Sequence, residues 1–71
     1  MEYVTGNTIK RLREKRRITQ KELAEKINVS DKTISKWETN KGLPDISVIE
    51  ELAKALGVSI AELLTGDLRE N

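Results

Sequence analysis

The sequence contains neither cysteine nor histidine. Without cysteine there can be no disulfide bond and no thiolate metal site. Without histidine, the commonest metal ligand and the commonest general acid–base are also missing. A small domain that lacks such cross-links suits a reducing cytoplasm. We therefore expect a cytoplasmic protein that binds no metal and no cofactor.

Long apolar runs are absent too. No stretch approaches the roughly 18 apolar residues that a membrane-spanning helix requires, and no secretory signal pattern is present. There is also no glycine-rich phosphate loop and no cluster of carboxylates, since Glu50 and Glu51 are adjacent on a predicted helix and diverge. With 71 residues, the chain forms one small domain without room for a deep substrate pocket. We expect neither membrane insertion nor enzymatic activity.

Charge, by contrast, is plentiful and unevenly distributed. The net charge of the chain is only +1, but residues 1–18 carry +4, residues 19–44 carry +1 and residues 45–71 carry −4. A basic beginning and an acidic end favour an electropositive face that binds a polyanion. Charge alone leaves an ordinary solvated surface as the alternative.

Apolar residues recur at helical spacing along almost the whole chain. The clearest stripe is formed by Ile46, Ile49, Leu52, Ala53 and Leu56, and no stretch alternates as a strand does. The spacing predicts helices at residues 6–16, 20–27, 31–39, 46–56 and 60–65. The expected fold class is all-α, a compact five-helix bundle. Its domain covers residues 6–66, between an N-terminal arm at 1–5 and a C-terminal tail at 67–71.

The helix boundaries carry residues of suitable chemistry. Two capping boxes are present, in which paired side chains satisfy free backbone N–H groups: Thr19 with Glu22, and Ser59 with Glu62. Two further residues are good N-caps: Ser30 and Asp45. Three glycines stand where helices should stop, because glycine adopts positive φ at little cost: Gly42, Gly57 and Gly66.

The stretch from residue 19 to residue 39 is TQKELAEKINVSDKTISKWET. It predicts two short helices joined by Asn28, Val29 and Ser30, with Asn28 where one residue often takes the left-handed conformation. Ala24 lets the two helices approach closely. Four side chains are expected to face inward together: Leu23, Ile27, Ile34 and Trp37. This arrangement is the helix-turn-helix of DNA-binding proteins.

From about residue 6 to residue 65, the chain resembles the lambda-repressor-like, Xre-type (Cro/cI) helix-turn-helix family. The matching residues are Ile9-Lys10-Arg11-Leu12-Arg13, Thr19-Gln20, Glu22-Leu23-Ala24, Val29-Ser30, Thr33-Ile34-Ser35-Lys36-Trp37-Glu38, Leu43-Pro44 and Leu52-Ala53-Lys54-Ala55-Leu56-Gly57-Val58. One departure is Asn28, where the family usually has glycine. Another is Thr39-Asn40-Lys41-Gly42, where the family often has Asn- or Arg-Gly-Lys.

The resemblance implies that the third helix, at about residues 31–39, enters the major groove and presents its outward residues to base edges. Asp31, Lys32 and Lys36 are then the base readers, because lysine donates to guanine and aspartate accepts from cytosine. The alternative for Asp31 is to help Ser30 cap the helix, and for each lysine to be a solvated surface residue. The full set of expected DNA-binding residues is Gln20, Ser30, Asp31, Lys32, Thr33, Ser35, Lys36, Thr39, Asn40 and Lys41.

The resemblance also implies contacts to the DNA backbone. Gln20 resembles the residue that binds a phosphate and braces the reading helix, and the N-terminus of its own helix offers free N–H groups to phosphate. Thr33 is placed to reach a phosphate or a thymine methyl group. The loop residues expected to hold further phosphates are Thr39, Asn40 and Lys41. The residues expected to steer DNA by their positive field are Lys10, Arg11, Arg16 and Arg17.

Arg13 lies on the apolar stripe of the first helix, where a charge needs a partner. The resemblance places Glu38, at the end of the third helix, opposite it. We predict a structural ion pair between the two side chains, which ties the first helix to the end of the reading helix.

The expected function is sequence-specific binding of double-stranded DNA by a transcriptional regulator, most simply a repressor, of the bacterial or phage type and associated with the nucleoid. By resemblance, it binds as a homodimer to an inverted repeat whose half-sites lie about 34 Å apart. Leu63 and Leu64 are near the expected two-fold contact unless they belong to the core. The alternative is a protein-interaction or antitoxin-type module with the same fold. An additional domain or a partner protein is compatible with both.

Overall fold

The computed structural model describes residues 6–65, and within them the fold is all-α without a strand. The helices are α1 Gly6–Lys15, α2 Gln20–Ile27, α3 Asp31–Glu38, α4 Ile46–Leu56 and α5 Ile60–Thr65. All of these bounds lie within one residue of the predicted ones. The predicted N-terminal arm and C-terminal tail lie outside the described residues. None of the helices between residues 6 and 65 has the length and apolar character to cross a membrane.

Hydrogen bonds at the helix starts follow the predicted caps. The Thr19 hydroxyl accepts from the Glu22 N–H at 3.0 Å, and the Glu22 carboxylate accepts from the Thr19 N–H at 2.7 Å. Ser59 and Glu62 form the same reciprocal pair before α5. The hydrogen bond from the Ser59 backbone lowers the pKa of the Glu62 carboxyl. Local chemistry therefore decides where these helices begin.

Among the described residues, four helices end with one residue in the left-handed conformation, and only one of these residues is glycine. The residues, with φ of 58°, 64°, 60° and 73°, are Arg17, Asn28, Asn40 and Gly57. The N–H group of the following residue bonds back to a carbonyl of the last helical turn, which is the Schellman motif. These back-bonds are Ile18 to Arg13, Val29 to Ala24, Lys41 to Lys36 and Val58 to Ala53.

Of the predicted helix ends within the described residues, two are confirmed and one is wrong. The left-handed conformation of Asn28 and the stop at Gly57 are confirmed. The prediction for Gly42 is wrong, because Asn40 takes the positive φ after α3 and Gly42 does not. Gly66 lies outside the described residues. Asn can substitute for glycine here because its short polar side chain tolerates the left-handed region.

The core lies between the helices and is apolar. Its buried residues are Ile9, Leu12, Leu23, Ala24, Ile27, Ile34, Trp37, Ile49, Leu52, Ala53, Leu56 and Leu63. Val29, in the turn between α2 and α3, packs against this cluster together with Leu64. One member of the predicted α4 stripe is misplaced, because Ile46 is 87% exposed. The buried stripe of α4 therefore begins at Ile49.

The N-terminus of α1 packs directly against the C-terminus of α3. Gly6 is buried there, and a Cβ atom at this position would overlap the carbonyl oxygens of Trp37 and Glu38. The Gly6 N–H donates to Oδ1 of Asn40 at 2.9 Å. The contact brings the positive end of one helix dipole to the negative end of another, which is favourable. It fixes the end of α3 on the domain.

Candidate nucleic-acid interface

The α3 helix is anchored by one face and exposed on the other. Ile34 and Trp37 are buried in the core. Asp31, Lys32 and Lys36 are exposed, and Ser35 is half-buried beside them. The helix thus presents two cations and one anion on a surface that the core holds in place.

Hydroxyl groups cap the start of α3. The Ser30 hydroxyl accepts from the Thr33 N–H at 3.2 Å and lies 3.0 Å from the Thr33 hydroxyl. Ser30 is therefore the N-cap of α3, and support of this cap by the negative charge of Asp31 stays an alternative to base reading. Asp31 stands exposed in the first turn of α3.

The side chains of the loop after α3 differ in whether their donor groups are free to bind a phosphate. The Thr39 hydroxyl donates to the Ser35 carbonyl at 2.9 Å, so its hydrogen is used within the helix end. Asn40 accepts the Gly6 N–H through Oδ1, which leaves its NH₂ group as the donor that can meet an anion. Lys41 is exposed. Among the three loop residues, Asn40 and Lys41 are best equipped to bind a phosphate.

Arg13 and Glu38 form a bidentate ion pair behind the end of α3. Arg13 Nε lies 2.6 Å from Glu38 Oε2, and Nη2 lies 3.1 Å from Oε1. The Arg13 side chain is 12% exposed and the Glu38 side chain 3% exposed. The hydrogen bond with Glu38 raises the pKa of Arg13, against the opposing effect of burial. Arg13 also donates from Nη1 to the Ile18 carbonyl at 2.8 Å, which ties the pair to the end of α1.

Gln20 joins this ion pair from the first residue of α2. Its Nε2 donates to Glu38 Oε1 at 2.9 Å, and the side chain is only half-buried. The structure therefore brings Gln20, Arg13 and Glu38 together in one hydrogen-bonded group. The resemblance implies that Gln20 braces the reading helix, but the sequence carries no signal that Glu38 is the residue it contacts.

A family model described as Helix-turn-helix matches residues 9–63. The chain belongs to this helix-turn-helix family. Its fold is the lambda-repressor-like form, because the P22 c2 repressor protein in complex with a synthetic operator superposes with a TM-score of 0.82 at 37% identity. That match covers 87% of this chain and 94% of the repressor chain.

Two relatives of the helix-turn-helix domain are named for opposite effects on transcription. The transcriptional activator BcrR of Enterococcus faecalis is 41% identical over 59 residues, which are 83% of this chain and 29% of BcrR. The immunity repressor protein of Bacillus phage phi105 is 36% identical, with 83% of this chain and 41% of the repressor covered. The chain thus spans less than half the length of both relatives.

Arg16 holds the end of α4 in this helix-turn-helix domain, in addition to contributing positive charge. Its Nε and Nη2 donate to the carbonyls of Leu56 and Gly57 at 3.0 and 3.1 Å. All four residues expected to steer DNA are exposed: Lys10, Arg11, Arg16 and Arg17. These two hydrogen bonds orient the Arg16 guanidinium in the free domain.

An apolar groove lies on the helix-turn-helix domain beyond the α3–α4 loop. It is lined by Leu43, Pro44, Ile46, Ile49, Glu50, Ile60 and Leu64. Leu43 is 64% exposed and Ile60 42% exposed, in addition to Ile46. Such a group of exposed apolar side chains is characteristic of an interaction surface.

Within residues 6–65, no three Asp or Glu side chains are grouped so that they could hold a metal ion.

Proposed function

We propose that this helix-turn-helix domain binds double-stranded DNA in a sequence-specific manner and regulates transcription, with α3 in the major groove. The observation that carries the proposal is the division of α3 into two faces. Ile34 and Trp37 fix the helix on the core, while Lys32 and Lys36 are exposed on it. A rigid helix with exposed donors can read the pattern of groups on base edges.

The chemistry of the exposed residues defines the contacts that we assign. Lys32 and Lys36 donate to guanine O6 and N7, and Asp31 accepts from cytosine N4. The residues assigned to the DNA backbone, which orient the domain but carry no sequence information, are Gln20, Asn40 and Lys41. Four further residues border this surface: Ser30, Thr33, Ser35 and Thr39. We assign them contacts with DNA that leave their hydrogen bonds within α3 intact.

We propose further that the domain acts as a homodimer on an inverted repeat and represses transcription by occupying it. The apolar groove supports self-association, because Leu43, Ile46 and Ile60 expose surface that a second copy would bury. Two-fold symmetry would place the half-sites about 34 Å apart. BcrR and the phi105 repressor are longer than the region that matches this chain. An effector or partner site would lie in segments of that kind, outside this chain. We assign no enzymatic activity to the domain.

Selection of bound sequences from a pool of random duplexes tests the proposal. We expect an enriched inverted repeat, whose affinity falls steeply with salt because binding releases counterions from phosphates. Lys36→Ala should lower the affinity about tenfold or more and relax the preference at one base position. Lys54→Ala, an exposed lysine on α4, is the matched control and should change the affinity little.

The duplex selection, together with binding tests on two lysine variants, separates the proposal from an interaction module of the same fold. If no duplex competes over bulk DNA, the proposal of sequence-specific binding is wrong. If Lys32→Ala and Lys36→Ala instead abolish binding of a partner protein without a DNA defect, the interaction module is the better assignment.

A further inference from the structure

The buried ion pair of Arg13 and Glu38 is hydrogen-bonded to a residue of the proposed DNA surface. The role of the pair in the core does not require this hydrogen bond. Arg13 occupies both oxygens of the Glu38 carboxylate, and Gln20 adds a third hydrogen bond to one of them. The Glu38 side chain is buried, whereas Gln20 lies at the edge of the domain. A single hydrogen bond therefore connects the core to a surface residue at the start of α2.

The identity of the Gln20 atom that faces Glu38 follows from chemistry. A carboxylate has no hydrogen to donate, so Gln20 must present its NH₂ group to it. One of the two N–H bonds of that group is used, and the second remains. Because Arg13 fixes both oxygens of the Glu38 carboxylate, the Gln20 amide has one preferred orientation.

We propose that Glu38 is a positioning residue for DNA binding, which orients the Gln20 amide so that its second N–H can donate to a phosphate oxygen. This inference rests on the proposed function and gives the ion pair a role beyond stability. A glutamine side chain loses considerable rotamer entropy when it is ordered. Glu38 imposes that order in the free domain, so DNA binding does not have to.

Three variants test the inference with a duplex that the wild type selects. Gln20→Ala should weaken binding about tenfold, as expected for one hydrogen bond to a charged group. Replacing the pair by apolar residues, Arg13→Met with Glu38→Leu, should weaken it by a similar factor although the domain still folds. Adding Gln20→Ala to that pair replacement should cause no further loss, because the residues act as one unit.

The salt dependence of binding provides a readout that a structural role would not reproduce. All three variants leave the net charge of the network unchanged, so the slope of log affinity against log salt should stay at the wild-type value. Lys41→Ala, which removes a cation assigned to the DNA backbone, should instead reduce that slope by about 1. Thermal denaturation of each variant shows that binding is measured on folded protein.

Several outcomes would overturn the inference. Wild-type affinity in Gln20→Ala, or in the folded pair replacement, shows that Glu38 does not position a DNA contact. If the pair replacement does not fold, the NMR order parameter of the Gln20 side-chain amide in the wild type decides: a value below about 0.6 marks a flexible group and overturns the inference, and a higher value supports it. A wild-type domain that selects no duplex overturns the proposed function and this inference with it.

Discussion

The ion pair between Arg13 and Glu38 is largely buried, with side chains that are 12% and 3% exposed. Removing one partner leaves the other charge buried without compensation, so Arg13→Met should lower the free energy of unfolding by about 3 kcal/mol. Urea denaturation measures this loss. Arg11→Met, at an exposed position of the same helix, is the control and should change stability by less than about 0.5 kcal/mol. A similar, small effect of both variants would contradict the structural role of the pair.

Gly6 and Gly42 form a second comparison between single residues. A Cβ atom at Gly6 would overlap the carbonyl oxygens of Trp37 and Glu38, whereas one at Gly42 meets nothing within 4 Å. Gly6→Ala should therefore destabilise the domain by about 1–3 kcal/mol through overpacking. Gly42→Ala should be neutral or slightly stabilising, because alanine reduces the entropy of the unfolded chain. Equal melting temperatures of the two variants would show that α1 can move away from α3.

These residues also show how far sequence reasoning reaches at this scale. The need of Arg13 for a partner follows from a charge on an apolar stripe, and the family resemblance supplied Glu38. Gly6 carries no such signal, since its role depends on a backbone 31 residues further along. The same holds for Arg16, whose carbonyl partners on α4 are remote in sequence. Apart from the pair that the resemblance supplied, contacts between distant segments were therefore the ones that sequence reasoning missed.

At the scale of elements, the helix starts were predictable because each depends on residues three positions apart. The reciprocal hydrogen bonds of Thr19 with Glu22 require only local geometry. Helix ends were harder to predict, because several residue types can take the left-handed position. Asn40 does so after α3 although Gly42 stands two residues later. The nearest glycine is thus a weaker signal than the polar residue at the correct spacing.

Arg17 provides the test of this element-level argument. It takes φ 58° after α1, a conformation in which residues other than glycine are strained. Arg17→Gly should raise the free energy of unfolding by about 0.5–1 kcal/mol relative to Arg17→Ala, because the two variants differ only in the Cβ atom. Thermal or urea denaturation of this pair removes the effect of the lost charge from the comparison. Equal stability of the two would mean that the Schellman turn relaxes around alanine.

At the scale of the whole molecule, helical periodicity predicted most of the core. The apolar groove was not predictable in the same way. Ile46 has the correct spacing for the buried stripe of α4, yet it is exposed because neither α5 nor the α3–α4 loop covers it. Periodicity indicates which residues share a helix face, but burial depends on what packs against that face.

Ile46 allows the proposed homodimer to be tested directly. Because the side chain is exposed in the single chain, Ile46→Glu should change the free energy of unfolding by less than about 0.5 kcal/mol. If a second copy covers the groove, the buried charge should weaken self-association by about tenfold or more in sedimentation equilibrium. Ala61→Glu adds the same charge at an exposed position of α5 that does not line the groove, and it should leave association unchanged. Equal association of the two variants would place the dimer contact elsewhere, since only the groove distinguishes them.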